Sequence, residues 1–149
     1  MHRKIYLLIF CLSLIFTLTS CGKSNTIDLD KPYTKYVDIY DVVKESFLTD
    51  DGYTSEISKH MTQEIFNRTN YKSYRVTAPE YKKPFKIKLD LKEVSQSPID
   101  DLVYVDMNYS IEIKDADDKN IGGTLHNYIQ FTVKLVGKEW YIINKYEKP

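Results

Sequence analysis

The chain has 149 residues, 21 basic and 21 acidic side chains and a formal net charge of zero. That length holds one domain with a single core and leaves no room for a second. The lysines are interleaved with acids rather than clustered, which argues against the basic surface that binding DNA or RNA requires, so nucleic acid is not expected as a partner.

The N-terminus carries the three parts of a secretory signal. His2, Arg3 and Lys4 make a basic start, Ile5 to Leu18 is apolar apart from Ser13 and Thr17, and small polar residues follow. The run falls short of the about 20 apolar residues a helix needs to cross a bilayer, so removal is the better reading. The tetrapeptide Leu18-Thr19-Ser20-Cys21 resembles the bacterial lipobox, an aliphatic residue and two small ones before a cysteine. That resemblance implies cleavage after Ser20, a diacylglyceryl thioether on Cys21, and a protein held on the extracytoplasmic side of the cell membrane; the alternative is an ordinary secretory leader. Two acyl chains anchor stably where one holds only reversibly. The other cysteine, Cys11, lies in the removed segment, so no disulfide is expected and stability must come from packing. Residues 1–20 are thus expected as signal peptide, 21–31 as a lipidated tether and 32–149 as the domain. Without Arg3 and Lys4 the basic residues fall two short of the 21 acidic ones, and no strong field results.

Gly22 to Lys31 shows no apolar period and reads as flexible, reaching at most about 35 Å. From Pro32 the spacing of Tyr33, Tyr36, Val37, Tyr40, Val43 and Phe47 predicts a helix ending near Leu48, before the turn formers Thr49-Asp50-Asp51-Gly52. A second helix is expected after Thr54 or Ser55 as N-cap, with Glu56 in its first turn and Ile57, Met61, Ile65 and Phe66 buried, making a helical hairpin. His60 reads as a boundary residue beside that stripe. Asn67 to Asn70 ends the helix, and Tyr74 and Val76 suggest a short edge strand before Pro79.

From Pro84 the period changes to two. Phe85, Ile87, Leu89 and Leu91 form the apolar face of a first strand, which is expected to break at Ser95-Gln96-Ser97-Pro98. The second carries Val103, Val105, Met107, Tyr109, Ile111 and Ile113 inward. In the third, Leu125, Ile129, Phe131, Val133 and Leu135 are expected in and Thr124, His126, Tyr128, Gln130, Thr132 and Lys134 out, with Asn127 a polar exception on the inner face. The fourth, Glu139 to Tyr146, is expected to be covered on both sides, with Trp140 in the core.

Helices followed by long antiparallel strands, with the ending Phe131-Thr132-Val133-Lys134-Leu135-Val136-Gly137-Lys138-Glu139-Trp140-Tyr141-Ile142-Ile143, resemble the NTF2-like or cystatin-like fold. The resemblance implies an α+β domain in which an N-terminal helical hairpin packs on a curved antiparallel sheet of about four strands, shaped as a cone. It carries no catalytic signature.

Asp115-Ala116-Asp117-Asp118-Lys119-Asn120-Ile121-Gly122 superficially matches a calcium loop, but Lys119 stands where an oxygen ligand is needed, and a hairpin loop explains the residues as well. No metal or cofactor is expected. No serine sits in a nucleophile elbow, and no catalytic residue is assigned. Asp106 and His126 form the one conceivable acid–base pair, yet the pattern points both outward. Met107, Tyr109 and Asn127 are the candidate cavity residues. Tyr104, His126, Tyr128 and Tyr141 are the candidate interface, since tyrosine offers apolar area with a polar tip, though aromatics also simply favour strands. The leading reading is a non-catalytic binding or protein-interaction module on the membrane. The alternatives are a small-ligand carrier using the cone and an isomerase or dehydratase of NTF2-like type.

Overall fold

Strict alternation over thirteen residues decides the centre of the sheet. In the strand Leu102–Lys114, Val103, Val105, Met107, Tyr109, Ile111 and Ile113 are all buried and every residue between them is partly exposed. The computed structural model describes residues 33–74 and 80–148. In it four strands, β1 (Lys86–Ile99), β2 (Leu102–Lys114), β3 (Asn120–Val136) and β4 (Glu139–Glu147), form an open antiparallel sheet in the order β1-β2-β3-β4. Short helices α1 (Tyr40–Leu48), α2 (Ser55–Ser58) and α3 (Gln63–Thr69), then a 3-10 turn at Tyr71–Tyr74, precede the sheet. The class is α+β. Cys21, the leader and the tether lie outside the described residues, as do Val76 and Pro79.

The helices are shorter than periodicity predicts, and in each case a backbone group is claimed from elsewhere. Tyr36 N and Val37 N donate to Gln96 Oε1 at 2.7 and 3.0 Å, and Gln96 Nε2 donates to Val37 O at 2.7 Å. Helical hydrogen bonding is thereby forfeited, and α1 begins at Tyr40 instead of Pro32. The second helix is expected as one piece and is two. Ile142 N on β4 donates to His60 O at 2.7 Å, and Met61 bridges Ile142 as an isolated parallel pair. Thr54 Oγ1 caps α2 by accepting from Ile57 N, and Thr62 Oγ1 restarts the chain as α3 by accepting from Ile65 N. The expected buried set Ile57, Met61, Ile65 and Phe66 is nevertheless buried. Tyr71–Tyr74 is a 3-10 turn, and Val76, the other residue of the suggested edge strand, lies outside the described residues.

β1 runs through Ser95-Gln96-Ser97-Pro98 without breaking. The strand lies at the sheet edge, where proline need not donate to a ladder, and Gln96 is buried at 7 % exposure by its bonds to Val37. Bulges then move residues between faces, because one extra residue inverts the alternation. In β3 the pairing passes from Tyr109↔Asn127 to Ile111↔Thr124, so Leu125 and His126 together oppose Ser110. Thr124 consequently shares the inner face of Ile111, while Leu125, expected inside, is 73 % exposed. In β4 the extra residue is Ile143. Trp140 and Ile142 face inward before it, and Lys145 and Glu147 do so after it, opposite Phe131 and Ile129. The outer side of β4 is uncovered: Ile143 is 44 % and Tyr146 50 % exposed. Trp140 is only partly buried, packed at the margin of the core and stacked on His60 at 4.2 Å between ring centroids.

One face of the sheet therefore buries Val103, Val105, Met107, Ile111, Ile129, Phe131 and Val133 with Val43, Phe47, Ile57 and Met61 from the helical layer. Asn70 ties that layer together, its Nδ2 donating to Ser46 O at 3.0 Å and Thr49 O at 2.9 Å.

Candidate functional site

The opposite face of the sheet has Asp106 at its centre. Cross-strand register places Ser95, Asp106, Gln130 and Tyr146 in one row over all four strands. Ser95 Oγ donates to Asp106 Oδ2 at 2.7 Å, while Tyr128 Oη at 2.5 Å and Gln130 Nε2 at 2.8 Å donate to Asp106 Oδ1. Burial, then the bond to Asp106, pushes the Tyr128 phenol up to about 12. Tyr104 lies on the same face, opposite Ser97 and Thr132.

Only part of the expected interface thus assembles. Tyr104 and Tyr128 flank Asp106, but His126 sits in the bulge with φ +53, its N donating to Ser110 Oγ at 3.0 Å. Asp106 and His126 are not brought together as an acid–base pair. Tyr141, opposite Lys134, stands at the edge near Tyr53, whose phenol is raised by burial and then by Tyr141. Tyr146 joins the row instead. Simple alternation from Trp140 would turn it inward, and the bulge at Ile143 turns it out.

On the inner face, Met107 is wholly buried in the core. Tyr109 is the hub of a closed polar network. Its hydroxyl is 2.8 Å from that of Tyr74, donates to Glu147 Oε1 at 2.7 Å and accepts from Asn127 Nδ2 at 3.4 Å. Lys145, 3 % exposed, pairs with Glu147 at 3.1 Å and donates to Arg68 O, while Arg68 Nη2 returns a bond to Lys145 O at 2.9 Å. Burial lowers the Lys145 pKa, opposed by Glu147. Asn127, singled out as a costly inward polar group, is satisfied by Tyr109 and by Tyr128 N at 3.0 Å. Lys145 is the residue sequence reasoning misses, because only the β4 bulge reveals its inward direction.

A depression of about 730 Å³ opens on the outer face, where Lys88, Asp90, Ser110, Glu112 and Leu125 stand in its lining. Gly123, also in the lining, has φ +126, and a Cβ there would lie 2.0 Å from Ile111 O on the paired strand, so only glycine fits. The loop at Asp115 is a hairpin turn, Asp115 Oδ1 accepting from Asp117 N and Lys119 N at 3.0 Å. Among the described residues no group of His, Cys, Asp and Glu is arranged to hold a metal, and no helix is long and apolar enough to cross a membrane. Comparison with protein-family models, curated proteins and solved structures gives no match.

Proposed function

We propose that this is a lipid-anchored extracytoplasmic protein whose domain docks a protein partner on the uncovered face of its sheet, without chemistry of its own. The observation that carries the reading is the row around Asp106. Tyr128, Gln130 and Ser95 are locked on one carboxylate, and the exposed Tyr146 and partly exposed Tyr104 stand beside them. Rigid aromatic groups bind with little ordering cost, which suits a docking surface. The carrier and enzyme alternatives would use the inner face, where Tyr109 is only 3 % exposed and its hydroxyl is already taken by Tyr74, Glu147 and Asn127. Anchoring is supported by the Leu18-Thr19-Ser20-Cys21 motif. For the fold, helices ahead of a four-stranded meander bent by bulges support a curved sheet of NTF2-like or cystatin-like kind.

The test uses the full chain as bait on detergent-solubilised membranes. Tyr146→Asp should lose the captured partner while keeping the wild-type melting temperature, and Asn127→Leu should retain it. Loss with Asn127→Leu alone would move function to the inner face. Cys21→Ala should shift the protein from the membrane to the soluble fraction; full membrane retention with the leader still cleaved after Ser20 would sink the anchor.

A further inference from the structure

The two edge strands of the sheet are finished differently. Along β4 the helical layer closes the edge: Ile142 N donates to His60 O, and Lys145 O accepts from Arg68 Nη2. The second half of β1 is closed by the segment ahead of α1, which Gln96 holds at Tyr36 and Val37. The first half of β1 is bare. Tyr40 Oη donates to Leu91 O at 3.1 Å, so the backbone of Leu91 points away from β2. Pairing with β2 is unbroken from Lys86 to Glu93, and backbone direction alternates along an antiparallel strand. Ile87 and Leu89 therefore also turn their N–H and C=O groups to the edge, and among the described residues no group outside the sheet bonds to these four.

An open edge is a template for one more strand, and the side chains beside it select which. On the outer face stand Lys86, Lys88 and Lys92 with the single acid Asp90, all exposed. Lys86 is paired with Asp118 at 2.7 Å and Glu112, across from Lys88, with Lys114 at 3.1 Å, while Lys88 and Lys92 form no ion pair among the described residues. On the inner face Ile87 and Leu89 are partly buried at the margin of the core, and just ahead of them Phe85 stands in a depression of about 630 Å³ with Tyr71, Lys72 and Lys83. An added strand would thus meet lysines with one set of alternate side chains and apolar groups with the other. A second copy of β1 does not meet that demand. Antiparallel self-pairing about Ile87 sets Lys86 against Lys88, about Lys88 sets that lysine against itself, and about Leu89 sets Lys86 against Lys92, and like charges directly opposite are destabilising. We propose that the bare edge of β1 takes up, as an added strand, an extended segment of a partner protein in which acidic and apolar residues alternate. This surface is separate from the tyrosine row around Asp106.

The test is a nuclear magnetic resonance titration of the full chain, in a nonionic detergent, with a blocked peptide of alternating glutamate and valine. Saturable binding is expected, with slowed hydrogen exchange at the amides of Ile87 and Leu89, while the Lys88 amide, already turned to β2, keeps its rate. Lys88→Gln combined with Lys92→Gln should weaken binding about fivefold or more. Tyr146→Ala should bind the peptide as wild type does, so this edge and the tyrosine row can fail separately. Should the lysine variant fail to fold, the chemistry of the peptide decides on the wild-type chain: of two versions methylated on the valine or on the glutamate nitrogens, the one without edge-facing donors should not bind. No saturable binding up to the solubility limit of the peptide overturns the proposal. So does binding of both methylated versions, equal binding of a peptide with the same residues in separate blocks, or undiminished binding by the folded lysine variant.

Discussion

Tyr33, which reaches Glu93 of β1 from the segment ahead of α1, and Tyr128 on β3 illustrate how single side chains couple folding to pH. Burial, reinforced by a carboxylate partner, Glu93 for Tyr33 and Asp106 for Tyr128, pushes each phenol up to about 12. Tyr71, bonded to Asp50, and Tyr109, bonded to Glu147, are raised further, again chiefly by burial. A phenol with a raised folded pKa favours the fold while neutral. Its contribution is whole below the unfolded value of about 10 and is lost as pH climbs through the folded value. Lys145 works in the other direction, since its lowered pKa penalises the protonated folded form, a penalty that fades as pH rises to its unfolded value of 10.5. Stability should therefore fall steeply only above about pH 10. Ultraviolet titration of phenolate should show Tyr33, Tyr71, Tyr109 and Tyr128 ionising only together with loss of near-ultraviolet circular dichroism. A single reversible transition for all tyrosines would contradict this account. Of these residues, Tyr109 and Asn127 are legible in sequence as polar tips on an apolar stripe. Lys145 is not, because plain alternation from Trp140 turns it outward and only the bulge at Ile143 turns it in.

Gln96 shows how one side chain can end one element and extend another. Its amide replaces the first turns of the predicted helix by binding Tyr36 N, Val37 N and Val37 O, and it carries β1 through a stretch rich in turn formers. Gln96→Ala leaves those groups without partners, and a buried unsatisfied group costs about 1–3 kcal/mol. The variant should lose stability of that order, and amides of Tyr36 and Val37 should exchange faster while those of β2 keep their protection. Unchanged exchange at Val37 would mean that the segment is held by Val37 and Ile39 packing alone. The break at His60–Met61 has a related origin. Ile57, Met61 and Ile65 repeat every four residues, a spacing that one helix satisfies and that two short helices joined by a strand-like residue satisfy too. Periodicity identifies the buried side chains here and is blind to the backbone between them.

For the whole molecule, the test residue is Trp140. The sequence places it in the core, whereas it packs partly exposed on the edge strand, stacked on His60 with planes 22° apart. Trp140→Ala should therefore cost less than the about 3–5 kcal/mol of a fully buried aromatic. Urea denaturation should show a lowered midpoint with a folded baseline, given the about 5–15 kcal/mol available to a small domain. Loss of the folded baseline in water would place the ring in the core after all. Sequence alone determines the α+β class, the existence and order of four strands, the alternation of β2 and the turn at Asp115, because these rest on hydrophobic period and turn chemistry, both local. Tertiary structure decides which face Leu125, Ile143, Lys145 and Tyr146 occupy, where α1 starts and the second helix breaks, and that Asp106 meets Tyr128 and not His126. Each of those outcomes is set by a bulge or a long-range hydrogen bond, and a one-residue change of register inverts every side chain up to the next irregularity.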